Sequence, residues 1–187
     1  MTLETPPESQ IDWPPLPTPA GALFAILADL GISYVLYHHR PVFTVEESLD
    51  IERGMPGAHC RNLFVRDKKG AMFLVVARNE TAIDLKKLAD MLSCGRLSFG
   101  SPDRLWAYLG VRPGSVCPFA IVNDRARQVR IVLDRSMMDY ETVNYHPMEN
   151  HMTIGLSPRD LLTYIRHADH EPQILDLTPA APDESEN

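Results

Sequence analysis

The chain has 187 residues, 44% of them hydrophobic and 23% charged, which holds one domain with little room for a second and is ordinary for a globular protein. Three cysteines with no C-x-x-C pair exclude a disulfide framework and a cysteine-rich zinc fold, and they fit a reducing compartment. The net charge of -7 belongs to the ends: residues 1–20 and 171–187 hold eight acids and no Lys or Arg, leaving 17 acids against 18 bases between them, so the body is not the basic domain that a duplex-DNA binder presents.

Residues 1–17 carry Pro6, Pro7, Pro14, Pro15 and Pro17 with little periodicity, and an extended leader anchored by Trp13 is expected. Thr18-Pro19 reads as a helix start, Thr as N-cap and Pro at the first helical position. Leu23, Ile26, Leu27 and Leu30 then recur at helical spacing until Gly31 stops the helix. Residues 33–38 are rich in β-formers and read as a strand. Thr44-x-x-Glu47 is a capping box for a short helix to about Arg53, ended by Gly54, Pro56 and Gly57. Residues 62–66 and 72–77 are apolar runs joined by Asp67-Lys68-Lys69-Gly70, the pattern of a β-hairpin.

Asp84 caps a helix through Leu92, with Leu85, Leu88 and Leu92 inward. Residues 96–99 form a short strand. Ser101-Pro102 and Ser157-Pro158 each open a helix by a Ser cap followed by Pro, running to about Leu109 and His167. Between those helices, residues 119–123, 129–134, 142–146 and 152–156 read as strands, with a short segment at 137–140. The mixture is neither strict βαβ alternation nor pure hairpins. It predicts an α/β fold of the α+β type, with a mixed, barrel-like sheet surrounded by helices. The domain is expected over 18–177, and the acidic, Pro-containing tail 178–187 is expected to be disordered. No run approaches the roughly 20 apolar residues of a membrane span, and the N-terminus lacks the features of a signal peptide. A cytoplasmic protein without a membrane partner is expected.

Seven His and three Cys invite a metal site, but His38-His39 and His59-Cys60 are adjacent pairs, and strand neighbours point to opposite faces. His146 and His151 flank a turn, and two ligands do not make a site. No metal is expected. Cys60, Cys94 and Cys117 read first as small buried hydrophobes. A thiol nucleophile would need a His partner that the sequence does not identify. Ser115 lacks the G-x-S-x-G frame of a nucleophile elbow. Arg61, Arg66, Lys68, Lys69 and Arg78 gather around one hairpin, and Arg125, Arg127 and Arg130 around another. Such faces are either simply solvated or a phosphate-binding edge for single-stranded or terminal RNA, and composition does not choose.

Four strings in order do choose. His59-Cys60-Arg61-Asn62-Leu63-Phe64-Val65-Arg66-Asp67-Lys68-Lys69-Gly70 resembles the hairpin of the YbaK/ProX (PrdX) family of aminoacyl-tRNA editing domains. Residues 97–105 (LSFGSPDRL), 109–119 (LGVRPGSVCPF) with Ile121-Val122-Asn123-Asp124, and Val143-Asn144-Tyr145-His146-Pro147 resemble its further segments, and the Ser157-Pro158 helix follows in order. The likeness covers about residues 20–177 and is nearest to free-standing ProX proteins, which resemble the editing insertion of bacterial prolyl-tRNA synthetase.

The resemblance implies hydrolysis of the ester that joins a wrong amino acid to a tRNA 3′ end, typically Ala on tRNA for proline, and no metal or organic cofactor. It implies the tRNA 3′ end as partner, with a synthetase as a further candidate. Arg61 and His146 are its implied catalytic residues, Arg61 holding the terminal nucleotide and His146 bounding the amino-acid pocket. Asn62, Gly114, Ser115, Phe119 and Ala120 are implied for substrate binding, the loop 114–120 facing the scissile carbonyl. Arg61 stands where the family has Lys, and Ala120 where it has Gly. Those two departures keep a second reading in play: a non-catalytic binder of aminoacyl-tRNA, an amino acid or a synthetase with the same fold.

Overall fold

The computed structural model describes residues 13–41 and 45–178. Their elements run α1 (Ala20–Asp29), β1 (Val35–His38), α2 (Val45–Glu52), β2 (Ala58–Arg66), β3 (Met72–Arg78), α3 (Leu85–Met91), β4 (Ser98–Phe99) and α4 (Pro102–Leu109). A 3₁₀ segment (Pro118–Asn123), β5 (Val129–Asp134), a second 3₁₀ segment (Arg135–Asp139), β6 (Val143–Tyr145), β7 (Met152–Leu156), α5 (Pro158–His167) and β8 (Gln173–Leu175) complete them. The expected capping role of Thr44, most of the leader and the tail beyond Thr178 lie outside the described residues.

The strands make one mixed sheet in the order β1-β7-β6-β2-β3-β5-β8, with β4 also paired to β2. β2 and β3 are antiparallel, Arg61 opposite Ala77 and Asn62 opposite Val76. The start of β2 pairs in parallel with β6, His59 opposite Asn144. β3–β5 and β5–β8 are parallel, and β6–β7 and β1–β7 are antiparallel.

Strand β3 is apolar on both faces because both are covered. Met72, Leu74 and Val76 point into a core shared with Leu23 and Leu27 of α1, Leu105 and Leu109 of α4 and Leu161 of α5. Phe73, Val75 and Ala77 point the other way, onto Val65 and onto Leu88 and Leu92 of the α3 region. Alternation along one strand thus places the helices on two sides of the sheet.

Local chemistry sets the joints. The Asp67 carboxylate accepts the backbone N–H groups of Lys69, Ala71 and Gly95, which closes the hairpin turn and ties it to the segment before β4. Gly70 takes φ +95° there. Asp84, Ser101 and Ser157 accept N–H groups in the first turns of α3, α4 and α5 as the sequence predicts. α4 ends on Gly110 at φ +60°; a side chain at Gly110 would collide with Pro17. Trp13 packs on Trp106, ring centroids 5.4 Å apart, which fixes residues 13–17 along α4.

Four expectations are corrected. Pro19, not Thr18, is the cap position of α1, and it makes no side-chain cap bond. The Thr18 hydroxyl instead donates to Asn123 Oδ1 at 2.7 Å. Residues 118–123 form 3₁₀ turns rather than a strand: Pro118 supplies no N–H to a ladder. β2 begins at Ala58, so Arg61 and Asn62 stand within the strand and not at its start. The strand β8 has no counterpart in the sequence reading. Among the described residues, no helix is long and apolar enough to cross a membrane.

Candidate active site

Strand β2 pairs with β6 only at Ala58 and His59 and then runs on beside β3, so the sheet opens between β2 and β6 just past His59. A cavity of about 470 Å³ lies there, roofed by α2, a volume within the range of small-ligand sites. Arg61, Asn62 and His146 line it together with Glu52, His59 and Tyr145. Two strings 84 positions apart in sequence, one on β2 and one just after β6, therefore meet at one place.

Arg61 is exposed, and its guanidinium donates to the carbonyl of Thr81. The Thr81 hydroxyl in turn donates to the fully buried Asp134 at 2.6 Å, which also accepts from the Ser136 hydroxyl at 2.7 Å. The acceptor that orients Arg61 is thus tied to the interior at the end of β5. A guanidinium has five N–H donors, so Arg61 keeps donors for a ligand. Asn62 Oδ1 is buried and meets no hydrogen-bond donor among the described residues. A buried acceptor left unpaired costs about 1–3 kcal/mol.

His146 Nδ1 lies 2.9 Å from the Met152 carbonyl. A carbonyl only accepts, so Nδ1 carries the proton and Nε2 offers a lone pair in the neutral ring. Burial holds this imidazole below its ordinary 6.5, and the nearby His39 pushes the same way, against the Met152 carbonyl and Glu52. The His39 ring stands 6.0 Å from it. His59 donates through Nε2 to Met55 O at 2.9 Å. Histidines thus gather here although their sequence spacing gave no ligand pattern; among the described residues no three His, Cys, Asp or Glu are arranged to hold a metal ion.

The other expected residues lie elsewhere. Gly114, Ser115, Phe119 and Ala120 do not line the cavity. Phe119 and Ala120 are fully buried in the main core. Phe119 stands behind the wall, edge-on to Tyr145 at 5.9 Å and to Tyr164 at 5.2 Å. The 3₁₀ turns of 118–123 produce this, by winding inward a stretch that a strand would have carried along the sheet. Ala120 is not among the residues with positive φ, so its methyl sits there without backbone strain.

Nucleophilic thiol chemistry has no support in this geometry. Burial pushes the Cys60 thiol up to about 12 and the Cys117 thiol up to about 11, and burial raises Cys94 as well; it is the thiolate that attacks. Sequence reading also missed Glu52, His59, Asn79 and Asn144 as lining residues. The signal for the last was its place in the quoted Val-Asn-Tyr-His-Pro string; Glu52 had none, because its place depends on how α2 docks.

The model for the aminoacyl-tRNA editing domain matches residues 39–164. The chain belongs to this family. It is 41% identical over 141 residues to the prolyl-tRNA editing protein ProX of Acetoanaerobium sticklandii, covering 75% of this chain and 86% of that one. It is 38% identical to the prolyl-tRNA synthetase associated domain-containing protein 1 of Bos taurus, covering 83% and 94%. A solved structure described as a candidate trans-editing enzyme for prolyl tRNA synthetase superposes with a TM-score of 0.67 at 19% identity, covering 87% and 98%, a likeness of fold. The editing-domain match spans β2, β3, β6 and the first part of α5, so the whole cavity floor lies within it.

Proposed function

We propose that this editing-domain chain is a free-standing aminoacyl-tRNA deacylase, acting on tRNA for proline that carries alanine or another small wrong amino acid, and that the ester is cleaved in the cavity of Arg61, Asn62 and His146. The convergence of these three side chains on one cavity is the observation that carries the reading. An aminoacyl ester is already activated, so the protein need not supply a strong nucleophile. Water, oriented by the neighbouring ribose hydroxyl, adds to the ester carbonyl, the bond to the ribose oxygen breaks, that oxygen takes the proton the water gives up, and the free amino acid leaves. Arg61 holds the terminal nucleotide through its phosphate or ribose, and the neutral His146 bounds the space for the amino-acid side chain. Holding ester and water in a fixed geometry is itself a large part of the rate. Proofreading of this kind is needed because one methylene discriminates by only about 1–3 kcal/mol in a synthetase site.

Arg61 in place of the family's Lys keeps the charge and adds planar, bidentate donors, which suits a phosphate or a ribose diol. The test is ester loss from tRNA for proline charged separately with alanine, serine, cysteine and proline, against a blank without protein. Selective loss of one small wrong amino acid is expected. No loss from any of the four, with the aminoacyl-tRNA still bound, would replace this reading by the non-catalytic binder.

A further inference from the structure

The polar groups that face the cavity are unbalanced. Glu52, the last residue of α2, is held on two sides: its Oε1 accepts the Ser48 hydroxyl at 2.6 Å, and both its oxygens accept from Asn79 Nδ2 at 3.2 Å. Asn79 is fixed in its turn, its backbone N–H donating to His59 O at 2.9 Å. A carboxylate has about four lone-pair directions, and these contacts use three, so Oε2 retains one. Among the described residues Glu52 has no ion-pair partner: Arg40 is paired with Glu47 and Arg53 with Asp50, and Arg61 donates to Thr81 O. Nε2 of His146, which lines the same cavity, is a further acceptor while the ring is neutral, its Nδ1 being bonded to the Met152 carbonyl. Glu52 is near enough to His146 to bias its proton. Glu52 and Glu80 line the cavity against one cation, Arg61, which is assigned above to the terminal nucleotide, so the rigid Glu52 carboxylate and the neutral His146 ring are left to complement a small, positively charged group rich in N–H donors.

We propose that Glu52 binds the free α-ammonium of the aminoacyl group, making the protein selective for esters whose amino nitrogen is unsubstituted. This rests on the deacylase reading of the same cavity and adds the part of the substrate it recognises. An ammonium has three N–H donors, and charge-assisted bonds of this kind are about twice as strong as neutral ones. Ser48 and Asn79 fix the carboxylate before the ligand arrives, so little side-chain entropy is lost on binding. Blocking the nitrogen removes the charge and two donors and leaves Glu52 facing a neutral amide. The site would thus pass over peptidyl and N-formylated esters, whose nitrogen is acylated.

The probes are the amide analogue 3′-(L-alanylamino)-3′-deoxyadenosine and its N-acetyl derivative, titrated calorimetrically into the full chain and into Glu52→Gln. Deacylation of alanyl-tRNA and N-acetylalanyl-tRNA is followed in parallel. The wild-type protein is expected to bind the free amine, and to cleave its ester, at least about tenfold better than the acetylated form. Glu52→Gln should lower the first and spare the second, so that the preference collapses. Gln retains acceptor oxygen for Ser48 and Asn79, and the wild-type comparison stands whether or not the variant folds. Equal handling of both forms by the wild-type protein overturns the proposal, and so does a folded Glu52→Gln that keeps the preference. Amine-selective binding without cleavage of either ester would uphold the ammonium site and overturn the deacylase reading instead.

Discussion

His146 shows how burial sets the chemistry of a side chain. Its Nδ1–H is committed to the Met152 carbonyl, and burial holds the ring below its ordinary 6.5. The unfolded chain therefore binds the proton more readily than the folded one. By linkage, stability associated with this ring is intact above about pH 6.5 and falls as the pH drops below it. Urea unfolding of the wild-type protein and of His146→Asn at pH 7.5 and 5.5 checks this: the wild-type protein should lose more stability on acidification than the variant does. Equal losses would contradict the assignment. Arg61, Asn62 and His146 were legible because they sit in strings with a family likeness. Glu52 was not, since nothing in the 45–52 segment reveals which strand end its helix will roof. Phe119 and Ala120 sat in an equally recognisable string, yet a recognisable string does not say which way a turn will wind.

At the scale of elements, turn and cap chemistry read well from sequence because each device is local: the Ser-Pro starts of α4 and α5, Asp84 on α3 and the hairpin at 67–70 all need only a few neighbouring residues. The misses came where distant partners decide. Residues 118–123 have strand-like composition, but Pro118 and burial against Tyr164 and Tyr145 turn them into 3₁₀ geometry. β8 is three residues long and exists because β5 offers it an edge. Asp67 joins local to long-range: besides its own turn, it accepts from Gly95, 28 positions away. Burial pushes its carboxyl up, but the N–H groups of Gly95, Ala71 and Lys69 together outweigh burial and hold it below its ordinary 3.8. That contribution is present above about pH 4 and is lost as the pH falls through the depressed value. Asp67→Asn is therefore expected to lower the Tm at pH 7 and to match the wild-type protein near pH 2. A gap that persists undiminished in acid would show that charge is not the cause.

For the molecule as a whole, one sheet covered on both faces leaves its opening where β2 and β6 part, just past His59, and the main core stands behind it. Tyr164 links the two regions: its hydroxyl, fully buried, donates to the Phe119 carbonyl at 2.9 Å, and Phe119 backs Tyr145 in the cavity wall. Tyr164→Phe removes that bond and should cost about 0.5–1.5 kcal/mol in urea unfolding; a change within error would mean the bond contributes nothing to stability. The body is near-neutral, with the acids at the two ends. Under the proposed function the cavity both holds and cleaves the ester. The most direct measurement is the single-turnover rate of alanine release from alanyl-tRNA for proline by the wild-type protein and by Arg61→Ala of verified fold. Release well above the blank by the wild-type protein, reduced to near the blank by the variant, is the predicted result. A variant as fast as the wild-type protein, or a wild-type protein no faster than the blank, would contradict the account.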